Sequence, residues 1–135
     1  MSAENKAVAQ KSYDVINSNA LDSLDALIAV NVNDHNPSPG VAPGLAGTKQ
    51  TLSMYHAVFS DLRVTAEDMI ADGDKVVVRL TMTGTHTGEF MGLPPTGKPV
   101  TMSGIEMFRL AGGQIAERWA EFDMMSLMQQ LGVMG

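Results

Sequence analysis

Two long runs with two-residue periodicity constrain this chain more than any other feature. In residues 75–87, Val76, Val78, Leu80 and Met82 alternate with mostly polar residues, and the same parity ends at His86. In residues 99–110, Val100, Met102, Phe108 and Leu110 alternate, with Glu106 among them. Successive side chains of a strand point to opposite faces. His86 and Glu106 are therefore expected on the apolar, inward face of two strands joined by the segment 84–104, GTHTGEFMGLPPTGKPVTMSG. A carboxylate there is costly unless it is paired or used. A pocket is the expected outcome, rather than a plain core.

Around these runs the chain divides into helices first and strands afterwards. Ser2 is placed to cap a helix to about Ser18, with Val8, Tyr13, Val15 and Ile16 as its apolar stripe. Asn19 opens a second short helix, whose Leu21, Leu24, Leu27 and Ile28 recur at helical spacing. Residues 33–47, NDHNPSPGVAPGLAG, read as a loop, and Thr48 caps a third helix with Leu52, Tyr55 and Phe59 on one face. Strands are expected at 62–71, 75–87, 99–110 and 114–122, with tight turns at Asp72-Gly73 and Gly112-Gly113 that make neighbours antiparallel. After Asp123, Met124, Leu127, Met128 and Leu131 mark a closing helix that stops at Gly132. The layout predicts a single α+β domain over residues 1–135. Its helices pack on one face of a curved antiparallel sheet, and the 33–47 loop covers the mouth of the resulting cone.

Composition removes several function classes. The 135 residues suffice for one domain with a sizeable core. A formal charge of −6, with nine scattered Lys and Arg, argues against nucleic acid or an anionic membrane as partner. Without cysteine there is no disulfide framework, thiol nucleophile or thiolate metal site. The polar N-terminus does not read as a signal peptide, and no apolar run reaches membrane-spanning length. A soluble, cytoplasmic protein is expected. His35, His56 and His86 are dispersed without HxH or HExxH spacing, so no metal is expected, and no nucleotide or cofactor fingerprint is present.

The segment 84–104, the later GGQIAERW at 112–119, the terminal QQLG at 129–132 and DHNP at 34–37 together resemble the SnoaL-like polyketide cyclase (ester cyclase) group of the NTF2-like superfamily. The resemblance spans the first helix to Gly132. It implies an NTF2-like cone enclosing a deep apolar pocket, a homodimer, and ring closure of a polyketide keto ester by intramolecular aldol condensation without metal or cofactor. The family's characterised cyclases pair a His with an Asp general acid/base. Laid without gaps, that His falls at Glu106 and that Asp at Ala120.

Register decides which residues join Glu106. A two-residue turn at Gly112-Gly113 puts Trp119 opposite Glu106 and turns Trp119, Glu121 and Asp123 inward, with Glu121 about 7–8 Å from Glu106 along a diagonal. A bulged turn shifts the register by one and turns Ala116, Arg118 and Ala120 inward. The bulk of Trp119 and the Gly-Gly pair favour the first register; the family alignment favours the second. If the other hairpin is centred near Leu93, His86 falls near Val100 and Leu80 near Glu106, leaving His86 about 20 Å from Glu106 and nearer the rim.

The candidate catalytic groups are Glu106 as general acid/base, Glu121 or Asp123 assisting, and His35 or His86 donating to a ligand oxygen. Asp123 also reads as a helix cap, and His56 as structural. Tyr13, Tyr55, Phe59, Phe90, Trp119, Met102 and Phe108 are the expected lining for a small apolar or aromatic ligand. An isomerase or epoxide hydrolase on the same cone, or a non-catalytic binding or dimerisation module, are the competing expectations.

Overall fold

A computed structural model describes residues 2–133. Helix α1 (Ser2–Ser18) leads through a 3₁₀ turn (Leu21–Ala26) into strand β1 (Ile28–Asp34), then helix α2 (Gly44–Val58). A meander follows: β2 (Arg63–Asp72), β3 (Lys75–Thr85), β4 (Pro99–Ala111) and β5 (Gln114–Phe122), closed by helix α3 (Met124–Gln130). The sheet order is β1-β5-β4-β3-β2, antiparallel throughout except for β1, which runs parallel to β5. Helices on one side of an open sheet make the α+β cone that the periodicities predict.

Three elements depart from the sequence expectation. Leu27 and Ile28 do not continue a helix; the turn ends at Ala26, and Ile28 begins β1 beside Ile115. The loop expected over 33–47 shrinks to 35–43, because Asn33 and Asp34 belong to β1 and α2 starts at Gly44, four residues before Thr48. The β3–β4 register is also two residues away from the expected one. Gly84 pairs with Val100, and Val78, not Leu80, faces Glu106.

The period-two alternation of β3 and β4 is realised residue by residue, with Val76, Val78, Leu80, Met82, Val100, Met102, Phe108 and Leu110 all buried. Burying such a side chain stabilises the fold by about 1.5–3 kcal/mol. Two apolar clusters form on the inner face. One gathers Ala9, Tyr13, Leu24, Val78, Phe108 and Ile115. The other gathers Val58, Phe59, Met82, Phe90, Met102 and Leu127.

Helix α1 is pinned to the edge strand β2 by the Asn17 amide, which donates to the Val64 carbonyl at 2.8 Å and accepts from its N–H at 2.7 Å. Among the described residues no helix is long and apolar enough to cross a membrane.

Candidate active site

Residues of both clusters line a cavity of about 250 Å³, so its wall is mainly apolar: Ile16, Leu52, Leu80, Met82, Met102 and Phe122 are among its residues. Its polar groups gather around Glu106. Strand β4 carries Glu106 inward by parity, 7% exposed. From α1, the Tyr13 hydroxyl donates to Glu106 Oε1 at 2.7 Å. From β5, Arg118 Nε donates to Glu106 Oε2 at 2.6 Å. The same guanidinium continues to β1, where Nη1 lies 3.0 Å from both Asp34 oxygens. Tyr13, Glu106, Arg118 and Asp34 thus form one connected network from the first helix to the first strand, and all four line the cavity.

The charges of this network sustain one another. Burial works against the Arg118 charge, but Glu106 and Asp34 together outweigh it and hold its pKa above the ordinary value. Tyr13 is held far above the usual phenol range, first by burial and then by the charge and hydrogen bond of Glu106. Burial also raises Tyr55, with Arg118 acting in the opposite sense.

Arg118 reaches the cavity because of a bulge. Gly112 and Gly113 form the expected two-residue turn, with φ of +58° and +80° that suit glycine, and Ala111 pairs with Gln114. The ladder holds at Leu110–Ile115 and then skips Ala116, so that Arg109 meets Glu117 and Glu106 meets Ala120. This corrects the register that a regular ladder from that turn implies: Arg118 faces in, and Trp119 and Glu121 face out. Trp119 stacks on His35 at 4.7 Å on the outer face, and Glu121 is exposed there, opposite Ile105.

The other candidates separate from the cavity. His35 Nε2 meets Glu117 Oε2 at 2.6 Å, and Arg109 Nε donates to the second Glu117 oxygen at 2.8 Å. The Arg109 hydrogen bond, and after it that of His35, lowers the Glu117 pKa. Asp123 caps α3 by accepting from Ser126 N–H at 3.0 Å. His86 is fully buried among the second cluster, where its Nδ1 accepts from Thr96 N–H at 3.2 Å and sits 2.9 Å from the Thr96 hydroxyl. That fixes the proton on Nε2, which has no partner among the described residues.

Phe59 and Phe90 pack against each other beneath α2 and do not line the cavity, whereas Tyr13, Tyr55, Met102 and Phe108 do. His56 donates to the Ile16 carbonyl at 2.8 Å and ties α2 to α1. Three residues absent from the sequence-derived site join it: Arg118, Asp34 and Asn36. The DHNP motif contained two of them, but their direction depends on the unrecognised strand β1. Among the described residues no three His, Asp or Glu side chains converge to hold a metal ion.

Residues 6–131 match the SnoaL-like polyketide cyclase family. The chain belongs to that family. Among solved structures it is similar to IdmH of Streptomyces antibioticus, a candidate polyketide cyclase, at 35% identity over 96% of this chain and 99% of that one, with a TM-score of 0.84. TsrD of Streptomyces laurentii gives 26% identity over 98% and 97%, TM-score 0.90. AclR of Streptomyces galilaeus, a candidate hydroxylase, gives 27% identity over 100% and 89%, TM-score 0.89. A search of curated protein sequences gives no significant match. In SnoaL-like terms the fold is the NTF2-like cone, and Ala120 lies directly opposite Glu106.

Proposed function

We propose that this SnoaL-like protein is a cofactor-independent acid–base enzyme that closes a ring in a polyketide-type keto ester by intramolecular aldol condensation. The observation that carries the reading is Glu106, a carboxylate in an apolar cavity wall whose two oxygens are oriented by Tyr13 and Arg118. Glu106 takes the proton from the carbon between two carbonyls. The resulting enolate forms the new carbon–carbon bond at a third carbonyl, and the proton returns to the alkoxide. Protons flanked by two carbonyls are acidic enough for a carboxylate base held in such a pocket. The predominantly apolar lining supports a small apolar or aromatic ligand.

Incubation of wild type and Glu106→Gln with a panel of aromatic keto esters, followed by product analysis, tests this. Wild type is expected to give a ring-closed product, and the folded variant about 10²–10⁴-fold less. Binding without conversion by either protein would sink the cyclase reading.

One observation favours a second reading. Asp34 and Glu106 share Arg118, and two carboxylates bridged by a guanidinium suit activation of a water against an epoxide. Incorporation of ¹⁸O from water into a diol product distinguishes that hydrolysis from ring closure, which incorporates none in forming the carbon–carbon bond.

A further inference from the structure

The role expected of His35 or His86, donating a hydrogen bond to a ligand oxygen, has no histidine in the cavity, because one stacks on Trp119 on the outer face and the other is sealed against Phe59. Other donors line it. Asn36 is held at three points: its N–H donates to Asp34 Oδ1 at 2.9 Å, its carbonyl lies 3.5 Å from Arg118 Nη1, and its side-chain Oδ1 accepts from Ala120 N–H at 2.8 Å. The last bond settles the amide orientation, since a backbone N–H cannot donate to an NH₂ group. Asn36 Nδ2 is therefore the open edge of the amide.

Arg118 spends Nε on Glu106 and Nη1 on Asp34, leaving Nη2. Among the described residues neither Asn36 Nδ2, Arg118 Nη2 nor the Tyr55 hydroxyl has a hydrogen-bond partner; the Arg118 and Tyr55 atoms are not sealed, and Asn36 is an exposed residue. All three residues line the cavity.

We propose that Asn36 Nδ2, Arg118 Nη2 and the Tyr55 hydroxyl form a carbonyl-oxygen subsite, so that the ligand enters with a ketone or ester oxygen at the Asn36 end and its apolar body toward Met82, Met102 and Phe122. The subsite deepens the acid–base reading above and rests on its carbonyl chemistry. A donor aimed at a ligand oxygen polarises the carbonyl and stabilises the enolate that follows proton removal. The donors are fixed before the ligand arrives: Asn36 by the three bonds just given and Arg118 by two carboxylates. Little reorganisation is then needed on binding.

Two conservative variants separate this role from a structural one. Asn36→Asp keeps an oxygen for Ala120 N–H and replaces the NH₂ donor with a charged acceptor beside Asp34 and Arg118; Tyr55→Phe removes only a hydroxyl and adds no charge. The probe is 1-tetralone labelled with ¹³C at its carbonyl, titrated into each protein and followed by ¹³C NMR. Bound to wild type, the carbonyl resonance is expected downfield of its position in an apolar solvent. Each variant is expected to reverse part of that displacement and to weaken binding about tenfold.

An unchanged carbonyl resonance across wild type and both variants overturns the subsite, as does absence of saturable tetralone binding by wild type. Should Asn36→Asp fail to fold, Tyr55→Phe decides alone. The keto-ester assay fails independently. A displaced resonance without turnover keeps the subsite and removes the cyclase, whereas turnover with an undisplaced resonance does the reverse.

Discussion

Tyr13 contributes a neutral hydroxyl to a wall that already holds two carboxylates, and this decides how it titrates. Its folded pKa lies far above the ordinary 10.0, and burial raises that of Tyr55, the other tyrosine of the chain, from the same value. A group whose folded pKa is raised lends stability that is complete below its unfolded pKa and falls as pH climbs beyond it. Stability is therefore expected to hold through neutral pH and to decline above about pH 10. Alkaline titration monitored by tyrosinate absorbance alongside circular dichroism should show Tyr13 ionising only as the protein unfolds, and Tyr55 ionising above its ordinary value. A tyrosine that ionises near pH 10 in the still-folded protein contradicts the burial of this wall. At this scale Glu106 was readable from parity alone. Arg118 was not, because its direction depends on one skipped residue, Ala116, which leaves no mark in the alternation of apolar residues.

Helix α1 delivers Tyr13 to Glu106, and it does so from a helix docked on an edge strand. Asn17, one turn beyond Tyr13, treats β2 as a neighbouring strand would, giving a donor and an acceptor to Val64. Asn17→Ala is expected to lower stability by about 1–3 kcal/mol, since it strands both polar groups of Val64, and Asn17→Asp to fall between the two by keeping the acceptor. Denaturant unfolding measures the difference; a change within about 0.5 kcal/mol would show that water satisfies Val64 equally well. Local pattern was enough to place β2 to β5 and α1, because their pairing partners are adjacent in sequence or their faces are periodic. It failed at β1. That strand pairs in parallel with β5, far along the chain, and its Asn31, Asn33 and Asp34 are poor strand formers. Missing β1 also concealed the direction of Asp34 and Asn36, so half of the polar wall was invisible while the apolar half was not.

The sheet has a second face, and the pattern on it concerns the whole molecule. Ile70, Val77, Met107 and Trp119 are consecutive cross-strand partners, so they form one apolar row across four strands on the side away from the cavity. Ile70 is 69% exposed, and Ile105 beside the row is 53% exposed. On one flank Arg79 pairs with Asp68, and on the other Arg109 pairs with Glu117. Each flank therefore offers both signs of charge, so a copy related by a two-fold axis finds a complementary group on either side. We propose a homodimer through this face. Light scattering coupled to size-exclusion chromatography should give a dimer for wild type and a monomer for Met107→Lys, which places a charge in the middle of the row. Because the side chain of residue 107 points away from the cavity, the tyrosine titration and tetralone binding should survive in the monomer. A wild-type monomer at micromolar concentration, or a Met107→Lys dimer, rejects the interface. Loss of tetralone binding on dissociation would instead mean that the two faces of the sheet are coupled through the bulged strand β5, which carries Trp119 outward and Arg118 inward on adjacent residues.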